Sequence, residues 1–156
     1  MRALVTVEHG AGLVDEARIG LLVAFAGRHL AMPEPSEASI SFVDDAEMAS
    51  LNEEYRGKVG PTDVLSFECD NLEDGFPVGD GIFEAGDIIL APDVAARQAK
   101  ELGHTFTEEV DTLVVHGILH LSGYDHIEDD EAAEMQRLQD EVLAAWWGTP
   151  EGCIHG

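Results

Sequence analysis

Three of the seven histidines of this 156-residue chain lie within one segment of eleven residues, HGILHLSGYDH. They are His116, His120 and His126. His116 and His120 are four residues apart, so on a helix their imidazoles lie one turn apart on the same face, where one metal ion can bridge them. Gly123 can take a left-handed C-cap conformation that turns the chain and brings His126 back toward the pair. The pattern predicts a three-histidine metal site.

The number of ligands indicates what kind of metal site this is. Three neutral imidazoles leave the fourth tetrahedral position of zinc open, which is typical of catalytic zinc, where a bound water has a pKa near neutrality. The same spacing occurs in metzincin proteases, which need a Glu directly after the first His as general base. Gly117 stands there instead and cannot move a proton, so a peptidase is disfavoured. Imidazole also suits nickel, copper and iron, so the spacing alone does not identify the metal.

The elements that position these residues follow from apolar periodicity and capping signals. Strands are predicted over residues 4–7, 39–43, 64–67 and 87–90, with a Gly-, Asp- and Pro-rich loop at 70–86. Helices are predicted over residues 13–30, 44–57, 92–103, 105–121 and 128–147, and the fourth of them carries His116 and His120. This order predicts one α/β (α+β) domain over residues 1–148, with a roughly four-stranded mixed sheet packed against about five helices. Residues 149–156 are expected to form a flexible tail.

The charge of the chain excludes one class of function. It has 32 Asp and Glu against 8 Lys and Arg, a formal net charge of −24, which repels a nucleic-acid backbone at long range. A general electrostatic DNA binder is therefore excluded, whereas an enzyme that meets phosphate at a locally positive or metal-bearing site is not. No signal peptide or membrane-spanning run is evident, and Cys69 and Cys153 form no CxxC motif. A soluble cytoplasmic protein is expected.

The histidine segment resembles that of the YbeY-type endoribonucleases, bacterial rRNA maturation factors, which carry H-G-x-L-H-L-x-G-Y-D-H. Further motifs of that family recur as Leu51-Asn52, Tyr55-Arg56, the PTDVLSF of residues 61–67 and the GDI of residues 86–88. The chain departs from the family at Glu68, where a Pro is usual, and at Val59, where an acidic residue is common. Neither departure touches a proposed ligand.

The resemblance implies an activity, a cofactor and partners. It implies a zinc-dependent, single-strand-specific endoribonuclease that acts in small-subunit rRNA maturation and in ribosome assembly and quality control. His116, His120 and His126 would bind one zinc per chain, and Arg56 would be a catalytic residue facing the metal. The implied partners are single-stranded rRNA, the small ribosomal subunit and an Era-type GTPase, with no membrane. A monomer is expected.

Phosphodiester chemistry independently favours a role for Arg56. Cleavage builds negative charge on the phosphoryl oxygens, and a guanidinium offers two fixed donors for it beside a Lewis-acidic metal. Arg56 also lies close to Lys58 in a chain with few cations. The alternative is that Arg56 is a solvated cation stabilised by the dipole at a helix C-terminus. Asp125 and Asp63 could orient an imidazole or a water, or could be turn residues.

Two other functions remain open at this point. One is a non-catalytic ribosome assembly factor whose metal only stabilises the fold, and the less favoured one is a metalloprotease-like hydrolase. No obvious general base stands near the histidines. The acidic composition predicts weak binding to naked RNA, so a ribosomal subunit or a protein partner would bring the substrate. A high-salt host is another explanation of the acidic surface.

Overall fold

The computed structural model describes residues 1–70, 81–124 and 129–153. Over these ranges the chain follows the predicted order of strands and helices. The elements are β1 (Arg2–Val7), α1 (Glu16–His29), β2 (Ser36–Phe42), α2 (Asp45–Arg56), β3 (Val64–Glu68), β4 (Phe83–Leu90), α3 (Pro92–Leu102), α4 (Phe106–Leu121) and α5 (Asp129–Trp147). No helix among the described residues is long and apolar enough to cross a membrane.

The four strands form one mixed sheet in the order β1-β2-β4-β3. β1, β2 and β4 run parallel, and β3 pairs antiparallel with β4 at the edge. The predicted α/β class with a four-stranded mixed sheet and five helices is therefore confirmed. In the antiparallel pair of β3 and β4, Ser66 of β3 lies opposite Ile88 of β4.

The start of β4 differs from the sequence-based prediction. The strand begins at Phe83, so residues 83–86 are not part of the predicted loop. Gly86 indicated a loop, but it lies in the strand, where the pairing with β2 shifts register between Glu37 and Ala38. Its φ is +140°, and a Cβ there would lie 2.0 Å from the carbonyl oxygen of Phe67. Gly86 is thus required by the close approach of β3 at an irregular point of the sheet.

The two faces of the sheet are covered unequally. Alternate strand residues point to opposite faces. One face packs against α1, α4 and α5 in the main core, whereas the other has exposed residues along β1 and β4 and is in contact with α2 and α3 through a smaller cluster near β3. The main core includes Ile40, Phe42, Ile88 and Leu90 with Leu22, Val114, Ile118 and Val142 from the helices. The smaller cluster comprises Val43, Met48, Leu65, Ala91 and Val94.

The buried stripes of two helices differ from the apolar periodicity. In α1, Ala17 and Leu21 recur at the helical spacing of an inner face together with Val14 and Phe25, yet both are exposed, and Ile19 and Val23 are buried. α1 is apolar around most of its circumference, so periodicity alone does not define its inner face. In α5, Ala145 is exposed and Trp146 is buried, because the larger side chain gains more from burial.

The predicted helix ends agree closely with the structure. Thr105 and Glu108 form a complete capping box at the start of α4, and Asp44 accepts from the Glu47 amide at the start of α2. Gly57 and Gly103 close α2 and α3 in the left-handed conformation. These signals depend on residues within one helical turn, which explains why they could be read from the sequence.

The segment predicted as a tail begins with a hydrogen-bonded turn. The Thr149 hydroxyl donates to the carbonyl of Trp146 at 2.6 Å and accepts from the Gly152 amide at 3.0 Å. The carbonyl of Gly152 accepts from Arg18 at 3.0 Å. Residues 154–156 lie outside the described residues, and the flexibility of the tail stays a prediction.

The packing of α4 on the sheet gives a first test of the fold. A Cβ added at Gly117 would lie 2.9 Å from two atoms of the fully buried Ile88 side chain. We expect Gly117→Ala to lower the free energy of unfolding by about 1–3 kcal/mol, because either the helix or Ile88 must move. Urea unfolding followed by circular dichroism measures this.

Gly20 provides the matched control, since it lies inside α1 and a Cβ there would have no atom within 4 Å. Gly20→Ala should raise the free energy of unfolding by about 0.5–1 kcal/mol. Equal stability of the Gly117→Ala protein and the wild type would contradict the close contact between α4 and β4.

Candidate metal centre

Two of the three predicted ligands face each other on α4. The Nε2 atoms of His116 and His120 are 3.1 Å apart, and the two rings stand nearly perpendicular, with centroids 4.7 Å apart. Each side chain is half-buried. His126 and Asp125 lie outside the described residues, so the third ligand stays a prediction. The structure thus brings His116 and His120 together in the way that their four-residue spacing indicated.

Oxygen acceptors fix the orientation of both imidazoles. His116 Nδ1 donates to Gln139 Oε1 at 2.8 Å, and His120 Nδ1 donates to the carbonyl oxygen of Tyr124 at 3.0 Å. An amide or carbonyl oxygen can only accept, so each Nδ1 carries a proton. In the neutral ring the lone pair is then on Nε2. Both Nε2 atoms are therefore directed at the same small region.

The turn after α4 supplies the acceptor for His120. Gly123 has a φ of +95°, in the left-handed region that its sequence position predicted. Its amide donates to the carbonyl of His120 at 3.0 Å, and the Tyr124 amide donates to the carbonyl of Leu119 at 3.0 Å. These bonds fold the chain back against the helix end. The backbone carbonyl of Tyr124 consequently lies beside the ring of His120.

The geometry of the pair fits a metal ion. Two Nε2 lone pairs 3.1 Å apart repel each other unless a proton or a metal ion lies between them. Tetrahedral zinc with Zn–N bonds of about 2.0–2.1 Å holds two imidazole nitrogens roughly 3.3 Å apart, close to this separation. Within residues 1–70, 81–124 and 129–153 no group of three His, Cys, Asp or Glu side chains could hold a metal.

Gln139, which orients His116, was missed by the sequence analysis. It is one of five buried residues of α5, the others being Met135, Val142, Leu143 and Trp146, and it is 7% exposed. A polar residue within an apolar stripe was the available signal, because a buried amide needs a hydrogen-bond partner. The sequence could not name that partner, which lies on another helix.

A buried charge anchors α5 to the helix that carries the histidines. Asp111 of α4 is fully buried, and it accepts from the Trp147 indole at 2.8 Å and from the Trp146 indole at 3.3 Å. Arg18 of α1 donates to its other carboxylate oxygen, with 14% of the arginine side chain exposed. Three helices thus meet at one carboxylate, whose oxygens are all satisfied. This network fixes the position of α5 relative to α4.

Arg56 is exposed at the last residue of α2 and takes part in none of the ion pairs formed by the described residues. The turn after it is well defined. The buried Asn52 donates through Nδ2 to the carbonyl of Gly60 at 2.8 Å, and its own carbonyl accepts from the Lys58 amide at 3.3 Å. Tyr55 packs edge-on against Phe67 of β3 at 5.2 Å between ring centroids. Arg56 and Lys58 are therefore held on a fixed, exposed turn.

Asp63 makes the contacts of a turn residue. Its Oδ1 accepts from the Val64 amide at 2.8 Å. With the side-chain amide of Gln98 turned so that its nitrogen faces the two carboxylates, that nitrogen donates to Asp63 Oδ2 and to Glu109 Oε1, both at 3.2 Å. The pKa of Glu109 is raised above its usual value, mainly by burial. The nearby His104 opposes this shift, and the Asp63 carboxylate adds to it. Among the described residues Asp63 contacts no imidazole of the candidate metal centre, and its role as an orienting residue stays a prediction.

The Asp111 network yields a stability prediction. Asp111→Ala removes the carboxylate that pairs with the Arg18 guanidinium and the acceptor of two indole N–H groups. We expect it to lower the free energy of unfolding by about 3–5 kcal/mol, as measured by urea denaturation. Glu134→Ala is the control, because Glu134 forms an exposed ion pair with Arg137 at 2.8 Å and its loss should leave stability almost unchanged. Similar effects of the two substitutions would contradict the anchoring role of Asp111.

Comparisons with known proteins identify the family. Residues 15–147 match the family model described as Endoribonuclease YbeY. A Nocardioides protein named Endoribonuclease YbeY is 46% identical over 136 residues, which cover 85% of this chain and 90% of that protein. A Thermobifida fusca protein of the same name is 45% identical over 135 residues, 85% of this chain and 86% of that protein.

The fold agrees with these similarities. A Thermotoga maritima protein known from a solution structure superposes with a TM-score of 0.59 at 26% identity, covering 97% of this chain and 96% of that one. The family model spans α1 to α5 and includes Arg56 and all three histidines of the segment. The chain belongs to the endoribonuclease YbeY family.

Proposed function

We propose that this protein is a zinc-dependent endoribonuclease that cleaves single-stranded RNA in the maturation of small-subunit rRNA. Membership of the endoribonuclease YbeY family supports the nuclease activity. The observation that carries the metal-dependent part is the pair of Nε2 atoms 3.1 Å apart, each on a ring whose Nδ1 donates to an oxygen. That arrangement is suited to a cation ligated by both rings.

His116, His120 and His126 would hold one zinc ion per chain. The first two present their Nε2 atoms together, and His126 follows the turn at Gly123 in the sequence. Imidazole ligands suit zinc. When bound, zinc supplies Lewis acidity toward a phosphoryl oxygen and lowers the pKa of water. The Nδ1 bonds to Gln139 and Tyr124 keep the two rings oriented for this purpose.

Arg56 is proposed to bind the phosphate that reacts. Its guanidinium makes no ion pair with a described residue, so its donors are available for phosphoryl oxygens. Charge on those oxygens grows in the transition state, and a planar two-pronged donor stabilises it more than the ground state. Lys58 on the same turn would contact a neighbouring phosphate.

The charge of the chain supports a delivered substrate. With a formal net charge of −24, the protein gains little from long-range attraction to RNA. Two cations on one turn neutralise few phosphates. Recognition of rRNA is therefore assigned to the small ribosomal subunit and an Era-type GTPase, which would present the strand to a cytoplasmic, monomeric enzyme.

Metal removal separates catalysis from a purely structural role of the metal. The purified protein should contain one zinc per chain by elemental analysis and cleave single-stranded RNA. A chelator should abolish cleavage while circular dichroism still reports a folded protein. His120→Ala should lose most of the zinc, because two imidazoles bind far more weakly than three. His104→Ala, at an exposed histidine of another segment, should keep the metal and the activity.

The opposite outcomes are equally specific. A zinc-loaded, folded protein that leaves RNA intact would identify a metal-stabilised assembly factor. Cleavage by a metal-free His116→Ala preparation would reveal a contaminating nuclease. Absence of any transition metal after reconstitution at neutral pH would refute the metal site.

The salt dependence of RNA binding tests the two cations. Two phosphate contacts predict a slope of log K against log salt of about −1.5 for a single strand. Lys58→Ala should weaken binding without changing the zinc content, whereas Arg56→Ala should mainly lower kcat. Arg2→Ala is the control, because Arg2 is an exposed cation on β1, at the opposite edge of the sheet from β3.

A slope on the order of −4 would require a larger basic surface than these two residues provide. Equal losses of binding and turnover in the Arg56 and Lys58 variants would reduce Arg56 to another phosphate contact.

A further inference from the structure

Gln139 is the one polar side chain among the five buried residues of α5. A buried amide without partners is unfavourable, and an apolar residue at this position would extend the stripe formed by Met135 and Val142. Its Oε1 accepts from His116 Nδ1 at 2.8 Å, across 23 residues of chain. The amide is thus placed where its main contact is with a histidine of the metal centre.

The contact restricts two properties of His116. Donation to Gln139 Oε1 requires the proton on Nδ1, which leaves the lone pair on Nε2. It also fixes the rotation of the ring, because a flipped imidazole would place carbon where the donor stands. Both effects direct Nε2 toward the Nε2 of His120, 3.1 Å away. An isolated imidazole would have to lose this freedom when it binds a metal.

The acceptor is carried by a firmly held helix. Trp146 and Trp147 lie about two turns beyond Gln139 on α5, and both donate to the buried Asp111 of α4. His116 lies five residues after Asp111 on that same helix. The two helices are therefore joined by hydrogen bonds at two levels, which fixes the position of the Gln139 amide relative to His116.

We propose that Gln139 is a positioning residue that fixes the tautomer and orientation of the His116 imidazole and thereby raises the affinity of the site for a divalent metal ion. This inference rests on one part of the proposed function, the binding of a metal ion by the histidines, and does not depend on RNA cleavage. The amide oxygen is neutral and cannot remove the Nδ1 proton from the ring. Gln139 thus differs from a carboxylate, which would add a further buried negative charge to an acidic chain.

Zinc competition with a chromogenic chelator tests the proposal without using activity. Gln139→Leu should bind zinc about 10- to 100-fold more weakly than the wild type, the usual loss when the partner of a metal-bound histidine is removed. Gln139→Glu restores an acceptor and should bind zinc at least as tightly as the wild type. Gln136→Leu is the matched control on the same helix, because Gln136 is exposed and its side chain donates a hydrogen bond to Asp140 at 2.9 Å, away from the histidines.

A second measurement reports the hydrogen bond itself in the zinc-loaded protein. Proton NMR should show a downfield Nδ1–H signal of His116 that exchanges slowly in the wild type and in Gln136→Leu. The signal should exchange rapidly in Gln139→Leu, and a purely structural role of Gln139 would leave it unchanged. Gln139→Met, which is unbranched and of similar length, provides the same test if leucine prevents folding.

The outcomes distinguish this inference from the proposed function. Wild-type zinc affinity and a protected Nδ1–H in Gln139→Leu would overturn the positioning role, even if the protein cleaves RNA. Weaker zinc binding in Gln139→Leu with rescue by Gln139→Glu would support it, even if the wild type fails to cleave RNA. A wild-type protein that binds no zinc would overturn both.

Discussion

The contact between α4 and β4 at Gly117 is the constraint on which the geometry of the candidate metal centre depends. Without a Cβ at Gly117 the helix can lie directly on Ile88, and any larger side chain would force the two apart. His116 and His120 lie about 40° apart around the helix, on one flank of this contact. The same glycine that excludes the general base of a metzincin thus sets the height of both imidazoles above the sheet. Core packing and site geometry are here one feature.

Buried polar groups then define how the remaining helices sit around α4. Asp111 of α4 accepts hydrogen bonds from the indoles of α5 and from the Arg18 guanidinium of α1. Gln139 of α5 adds a second link to α4, because it accepts a hydrogen bond from His116. Apolar packing is non-directional, so it brings helices together without selecting one rotation or axial position. Hydrogen bonds to a carboxylate and an imidazole are directional and select both. Burying Asp111 and Gln139 costs desolvation energy. In return, their hydrogen bonds orient the helices and the imidazole of His116.

What the sequence could predict follows from how far apart the interacting residues are. The caps at Thr105 and Gly103 and the turn at Gly123 depend on neighbours within a few residues, and each was predicted. The start of β4 was missed because Gly86 is required by the Phe67 carbonyl of another strand. Gln139 and Asp111 have partners 23 and 93 residues away, so their roles could not be read locally. The pairing of His116 with His120 was predictable because helical spacing alone creates it.

The cationic side chains fall into two groups, those paired with carboxylates within the fold and those available to a phosphate. Arg18, Arg97 and Arg137 are each held by a carboxylate, so they are neutralised within the fold. Arg56 and Lys58 instead stand on a turn that Asn52 fixes from inside, and neither forms an ion pair with a described residue. A chain with a formal net charge of −24 and one such turn attracts phosphate only at very short range. Long-range attraction by the chain as a whole therefore contributes little to the selection of an RNA strand.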